Sequence, residues 1–235
     1  DVYKRQSMIS NAGNIQASDF IFMGAGAIEN TGTMSAPGGN LQLAVGDRMT
    51  LAFGNNLDVS VTVDESLKEQ VEGVHTAINN TGTLEADLID MKVSLAENIY
   101  AKAVNTDGLI RNTKLVYEYG HIKIVADGGG IDHTGIISSN GLYGGEVLLS
   151  STGNLMMMGD VVSEGSIQGG DVTITSNSDT VLADGSLTSA KGAGDFGTAG
   201  EILIWSDNDT TFETGAEIDV SGGDISGDGG FVEVS

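Results

Sequence analysis

AIENTGTMSA at residues 27–36 returns fifty residues later as AINNTGTLEA at 77–86, with seven of the ten positions identical. The shared frame is an apolar residue, three positions, a glycine, one position and a second apolar residue. Weaker copies stand at Ile9, Gly13 and Ile15; at Val104, Gly108 and Ile110; at Ile131, Gly135 and Ile137; and, with the spacing off by one, at Leu182, Gly185 and Leu187 and at Phe212, Gly215 and Ile218. A second frame, glycine followed by alternating apolar positions, starts at Gly39, Gly145, Gly170, Gly200 and Gly230, the last four at intervals of 25, 30 and 30 residues. A period of this length predicts a solenoid, in which each unit buries its apolar side only by stacking on its neighbours.

The period also predicts the shape of one unit. Gly13 precedes its equivalent Gly32 by 19 residues, enough for three strands of about four or five residues and three turns. NLQLAV (40–45) and RMTLAF (48–53) alternate apolar with polar residues, as strands with one buried side do. Leu41, Leu43, Met49 and Leu51 are therefore expected to point inward. From residue 130 the units read cleanly as triplets: EVLLS, NLMMM and SIQ; DVTIT, TVLAD and SLTSA; EILIW, TTFET and AEIDVS. The expected fold is all-β, a single parallel β-helix of eight or nine coils over residues 7–235, with Val147, Leu149, Val172, Ile174, Ile202, Ile204, Val232 and Val234 in stacked interior columns. KGAGDFGTAG (191–200) is expected as an insertion at one corner. Residues 1–6, DVYKRQ, fit no repeat and read as a cloning or sequencing scar.

One segment breaks the pattern. DESLKEQVEGVHT (64–76) spaces Leu67, Val71 and Val74 by four and three after an acidic opening. That spacing predicts a short amphipathic helix or a loop, packed on the flank of the solenoid.

Composition limits the function. The chain carries 33 acidic and 10 basic residues for a net charge of −23, and Lys191 is the only cation after Lys123. Such a surface repels polyphosphate and anionic lipid, which argues against nucleic acid and charged membranes as partners. It also keeps a repetitive β surface soluble. The absence of cysteine excludes thiolate metal sites, redox pairs and disulfides. No apolar run is long enough for a membrane-spanning helix.

Four features bear on chemistry. NTDG (105–108) with GHIK (120–123) resembles motifs of pectin-hydrolysing β-helix enzymes, but the paired aspartates and the Gly-His-Gly between such motifs are missing, so Asp107 and His121 read as a turn and an outward strand residue. Calcium needs six to eight oxygens, and GGDISGDGG (222–230) is the only turn so rich in aspartate and glycine, so it reads as a plain corner. Met156, Met157 and Met158 cannot all face inward from one strand. His75, His121 and His133 lie on different coils, with no metal-ligand spacing. No catalytic, cofactor-binding or metal-binding residue is therefore expected. A carbohydrate-cleaving site would need a convergent acid, base and cation, which Arg48, Lys92, Lys102, Arg111, Lys114 and Lys123 would have to supply.

The succession GAIENTGTMSAPGGNLQLAVGDRMTLAF, LDVSVTVDESLKEQVEGVHTAINNTGTLEAD and GGGIDHTGIISSNGLYGGEVLLSSTGNL resembles the filamentous haemagglutinin family of two-partner secretion exoproteins. The resemblance covers the chain from residue 8. It implies a right-handed parallel β-helix, secreted through the outer membrane of a Gram-negative bacterium by a dedicated transporter and acting at the cell surface as an adhesin toward a host or environmental glycan or protein. The family's N-terminal signal motifs are not among these residues, and FVEVS ends inside a strand. The resemblance thus implies an internal fragment, the end of a secretion domain and the start of a shaft. The other class kept open is a β-helical protein that binds or degrades polysaccharide.

Overall fold

The computed structural model describes residues 7–53, 59–97, 99–113 and 120–235. The scar assigned to residues 1–6, most of NTKLVYEY and Lys114 lie outside these. The described chain is a parallel β-helix. Its first face is an eight-stranded parallel sheet in which one strand from each coil pairs with the next: Met8–Asn11, Ala27–Asn30, Thr76–Asn80, Lys102–Thr106, Ile131–His133, Leu155–Met157, Thr180–Leu182 and Thr210–Phe212. The other two faces form one fourteen-stranded sheet, because the long strands Thr33–Val45 and Thr83–Ser94 turn the corner between them without breaking. Eight coils at about 4.8 Å per step give a rod about 34 Å long.

Stacking puts equivalent residues over one another, so the core is a set of columns. On the third face Ile21, Leu41, Ile89, Ile122, Val147, Val172, Ile202 and Val232 follow in register. Leu43, Met91, Ile124, Leu149, Ile174, Ile204 and Val234 form the column beside it. All are buried apart from the last of each: Val232 is 36% and Val234 42% exposed, because their strand, Phe231–Val234, pairs on one side only. Of the three methionines, Met157 enters the core while Met158 stays exposed.

The recurring glycines follow from the same stacking. A Cβ on Gly32, Gly82, Gly108, Gly135 or Gly159 would come well inside 3.0 Å of the carbonyl oxygen of the glycine one coil earlier. These residues form one corner at which only hydrogen fits between backbones. Gly170, Gly200 and Gly230 repeat the arrangement at the entrance to the third face, each against the carbonyl of its predecessor. Each glycine frame in the sequence therefore marks one corner of the helix.

Two expectations are corrected. Residues 64–76 form no helix. Helical bonding would direct the Val71 N–H to the Leu67 carbonyl, but that carbonyl accepts from Ala96 N at 2.8 Å and Val71 N donates to Tyr100 Oη at 3.0 Å. Leu67 is instead bridged in parallel to Leu95 and fully buried, and Gly73, at φ +80°, turns the chain toward the next coil. The segment is a loop packed on the flank. Met49 and Leu51 do not enter the core either. Their strand, Arg48–Phe53, pairs antiparallel with Val59–Glu65 and leaves the stack as a hairpin, so both are only half-buried. The hairpin lies on the outside of the third face, where Val59 and Val61 are buried and Val59 O accepts from Gln42 Nε2 at 2.7 Å.

Candidate functional site on the third face

Outward side chains of the third face stand in columns as regular as the inner ones. Beneath the hairpin, Asp90 and Lys92 project from Thr83–Ser94, and His121 and Lys123 from the next coil's strand, His121–Asp127. Asp90 Oδ1 lies 3.1 Å from His121 Nε2, and its Oδ2 lies 3.4 Å from Gln42 Nε2 and 3.9 Å from Lys92 Nζ. Lys92 also donates to Val61 O at 3.0 Å, and Lys123 Nζ reaches Glu146 Oε1 at 3.1 Å. An acid, an imidazole and one ammonium group thus converge here, while Lys123 turns toward the next coil. Asp90 is largely shielded, its side chain 14% exposed, and its two oxygens accept from His121 and Gln42 with the Lys92 ammonium beside them.

The acid facing His121 is therefore Asp90 and not Asp107. Asp107 lies in the turn between the first and second faces, where it accepts from Thr134 Oγ1 at 2.8 Å. It borders an open groove of about 450 Å³ along the glycine corner, with Leu109, Ile136, Met158 and Asp160. The other cations named above are dispersed: Lys102 pairs with Asp132, Arg111 with Glu85, and Arg48 with Glu65 in the hairpin.

Toward the C-terminus the third face turns acidic. Glu146, Asp171 and Glu201 are register partners on successive strands. Partial desolvation, then the neighbouring Glu201 and Glu146 charges, push the Asp171 carboxyl above the usual range. In the same strands Ser150, Thr175 and Trp205 form an outward column that ends on the half-exposed indole.

His133 is an interior residue. It is fully buried in a column that runs Asn11, Asn30, Asn80, Thr106, His133, Met157, Leu182. The asparagines bond in series, Asn11 Nδ2 to Asn30 Oδ1 at 2.8 Å and Asn30 Nδ2 to Asn80 Oδ1 at 2.7 Å. His133 Nε2 donates to the Asp160 carbonyl at 3.0 Å, since a carbonyl can only accept, and Nδ1 accepts from Thr106 Oγ1 at 2.9 Å. Burial pushes the imidazole below its ordinary range, with the hydrogen bonds only partly opposing, so it is held neutral. His75 is exposed, and among the described residues no three acidic or histidine side chains gather as a metal ion would require. No helix among them is long and apolar enough to cross a membrane.

Comparison with known protein families and with curated proteins gives no match to this chain.

Proposed function

We propose that the chain is part of a secreted or cell-surface adhesin of the filamentous haemagglutinin kind, a stiff β-helical shaft that holds attachment surfaces away from the cell. What supports this reading most is that the repeats within the segments carrying the resemblance lie in one stack of eight coils, with the strands Arg48–Phe53 and Val59–Glu65 set outside it as a hairpin. A rod with repeated outward columns suits multivalent attachment, in which weak contacts add through effective concentration. An outer-membrane transporter of the two-partner type is the partner this reading requires. The flanking genomic sequence tests it: an upstream signal region in the same frame and an adjacent transporter gene are expected, and finding neither would remove the basis for secretion. Beads coated with the chain should also adhere to cells or immobilised glycans in competition with free chain.

The convergence at Asp90, His121 and Lys92 favours one second reading, carbohydrate cleavage or binding on the third face. Release of reducing ends or unsaturated products from glycans, lost in His121→Gln, would put this reading first.

A further inference from the structure

At the corner between the second and third faces, the last four coils each put out a loop, at residues 140–144, 164–169, 190–199 and 220–229. These loops stack as the coils do. Gly144 N donates to Gln168 O at 2.9 Å, Thr198 N to Ile167 O at 2.9 Å, and Ile225 N to Asp195 O at 3.0 Å. Their backbones are thereby fixed against one another, and each holds one large apolar side chain in solvent. Leu142 is 41% exposed, Ile167 48%, Phe196 66% and Ile225 68%. Isolated exposed apolar residues are ordinary on any protein surface, but here one stands on each of four successive coils along a single corner.

Charge and spacing select an occupant. Glu164, Asp195, Asp224 and Asp228 belong to these loops, and Lys191 is their only cation. A second copy of the chain, or an anionic lipid surface, would set negative charge against negative charge. A partner must be apolar along one line and basic beside it. Successive coils are about 4.8 Å apart, so four tips span about 14 Å. An α-helix repeats its apolar stripe every 5.4 Å or so, and an extended strand every 6.8 Å or so, so over three steps the helix drifts by about 2 Å and the strand by about 6 Å. We infer that this corner is a docking strip for a basic amphipathic helix of a partner protein. The strip stands whether or not the rod is an adhesin.

The test uses the 235-residue chain and a fluorescent Leu/Lys peptide whose leucines recur at helical spacing, with a scrambled peptide of the same composition. Fluorescence anisotropy should show the amphipathic peptide binding at least about tenfold more tightly than the scrambled one. Phe196→Ser with Ile225→Ser, which leaves every charge in place, should weaken it by a similar factor. Asp195→Asn with Asp224→Asn should weaken it too and reduce its salt dependence. Unchanged melting curves would establish that the variants still fold. Equal binding of the two peptides, or no effect of the serine variant, would reduce the interaction to attraction by the net charge and overturn the inference. So would light scattering that shows self-association abolished by the serine variant, or binding of the chain to phosphatidylserine vesicles.

Discussion

His133 shows how one buried side chain can make a whole rod sensitive to acid. In the unfolded chain an imidazole titrates near pH 6.5, roughly. In the fold the lowered value keeps His133 neutral, so below about pH 6.5 the unfolded chain binds a proton that the folded chain refuses. Stability present at pH 7 is therefore lost as the pH falls from there toward the folded value. The double variant Thr106→Val, His133→Met extends the apolar run of Met157 and Leu182 toward the N-terminus. Its urea midpoint should fall less between pH 7 and pH 5 than that of the unaltered chain. Thr106→Val alone leaves Nδ1 without its donor and should cost about 1–3 kcal/mol at pH 7. An equal pH response in the double variant and the unaltered chain would assign the acid sensitivity to other groups.

At the scale of elements, the strands were legible from sequence and their surroundings were not. A period-2 run with glycine at its start has one reading, because stacking requires both at every coil. RMTLAF alternates just as NLQLAV does, yet the first belongs to a hairpin and the second to the core. Alternation reports a half-buried strand and carries no information on which neighbour does the burying. The helical spacing of Leu67, Val71 and Val74 was outweighed by groups about thirty residues downstream, at Leu95 and Tyr100. The meeting of Asp90 with His121 was hidden for a related reason. Equivalent positions lie 19 residues apart between Asn11 and Asn30 and 50 apart between Asn30 and Asn80, so register cannot be counted along the chain. The hairpin itself is closed at its base, where Asp47 N donates to Glu65 O at 2.8 Å. Joining Gly46 to Ser66 should therefore preserve the β-type circular dichroism spectrum. The melting temperature should drop by roughly 6–12 °C, from the lost burial of Val59 and Val61 at about 1.5 kcal/mol each and 2–4 °C per kcal/mol. Complete loss of the spectrum would instead make the hairpin part of the folding core.

Over the whole molecule, two tendencies oppose each other. Phe231, Val232 and Val234 leave an apolar, one-sided strand at the C-terminal end of this chain, and such edges recruit others. The charge of −23 resists that approach. Salt shortens the reach of the repulsion from about 10 Å at 0.1 M to about 3 Å at 1 M. Light scattering by the isolated chain should therefore rise with salt through end-to-end contacts, and Val232→Asn with Val234→Asn should suppress the rise. A monomer at high salt and high concentration would count against a recruiting edge. The glycine corner bears on how such a rod can diverge over time. From Gly32 to Gly159 that corner tolerates no side chain and hence almost no mutation, whereas the loops at the far end of the second face grow from five residues at 140–144 to ten at 190–199 without disturbing the stack. Lineages that inherit this rod would be free to elaborate one edge while another stays fixed, so differences between them should accumulate on the loop side.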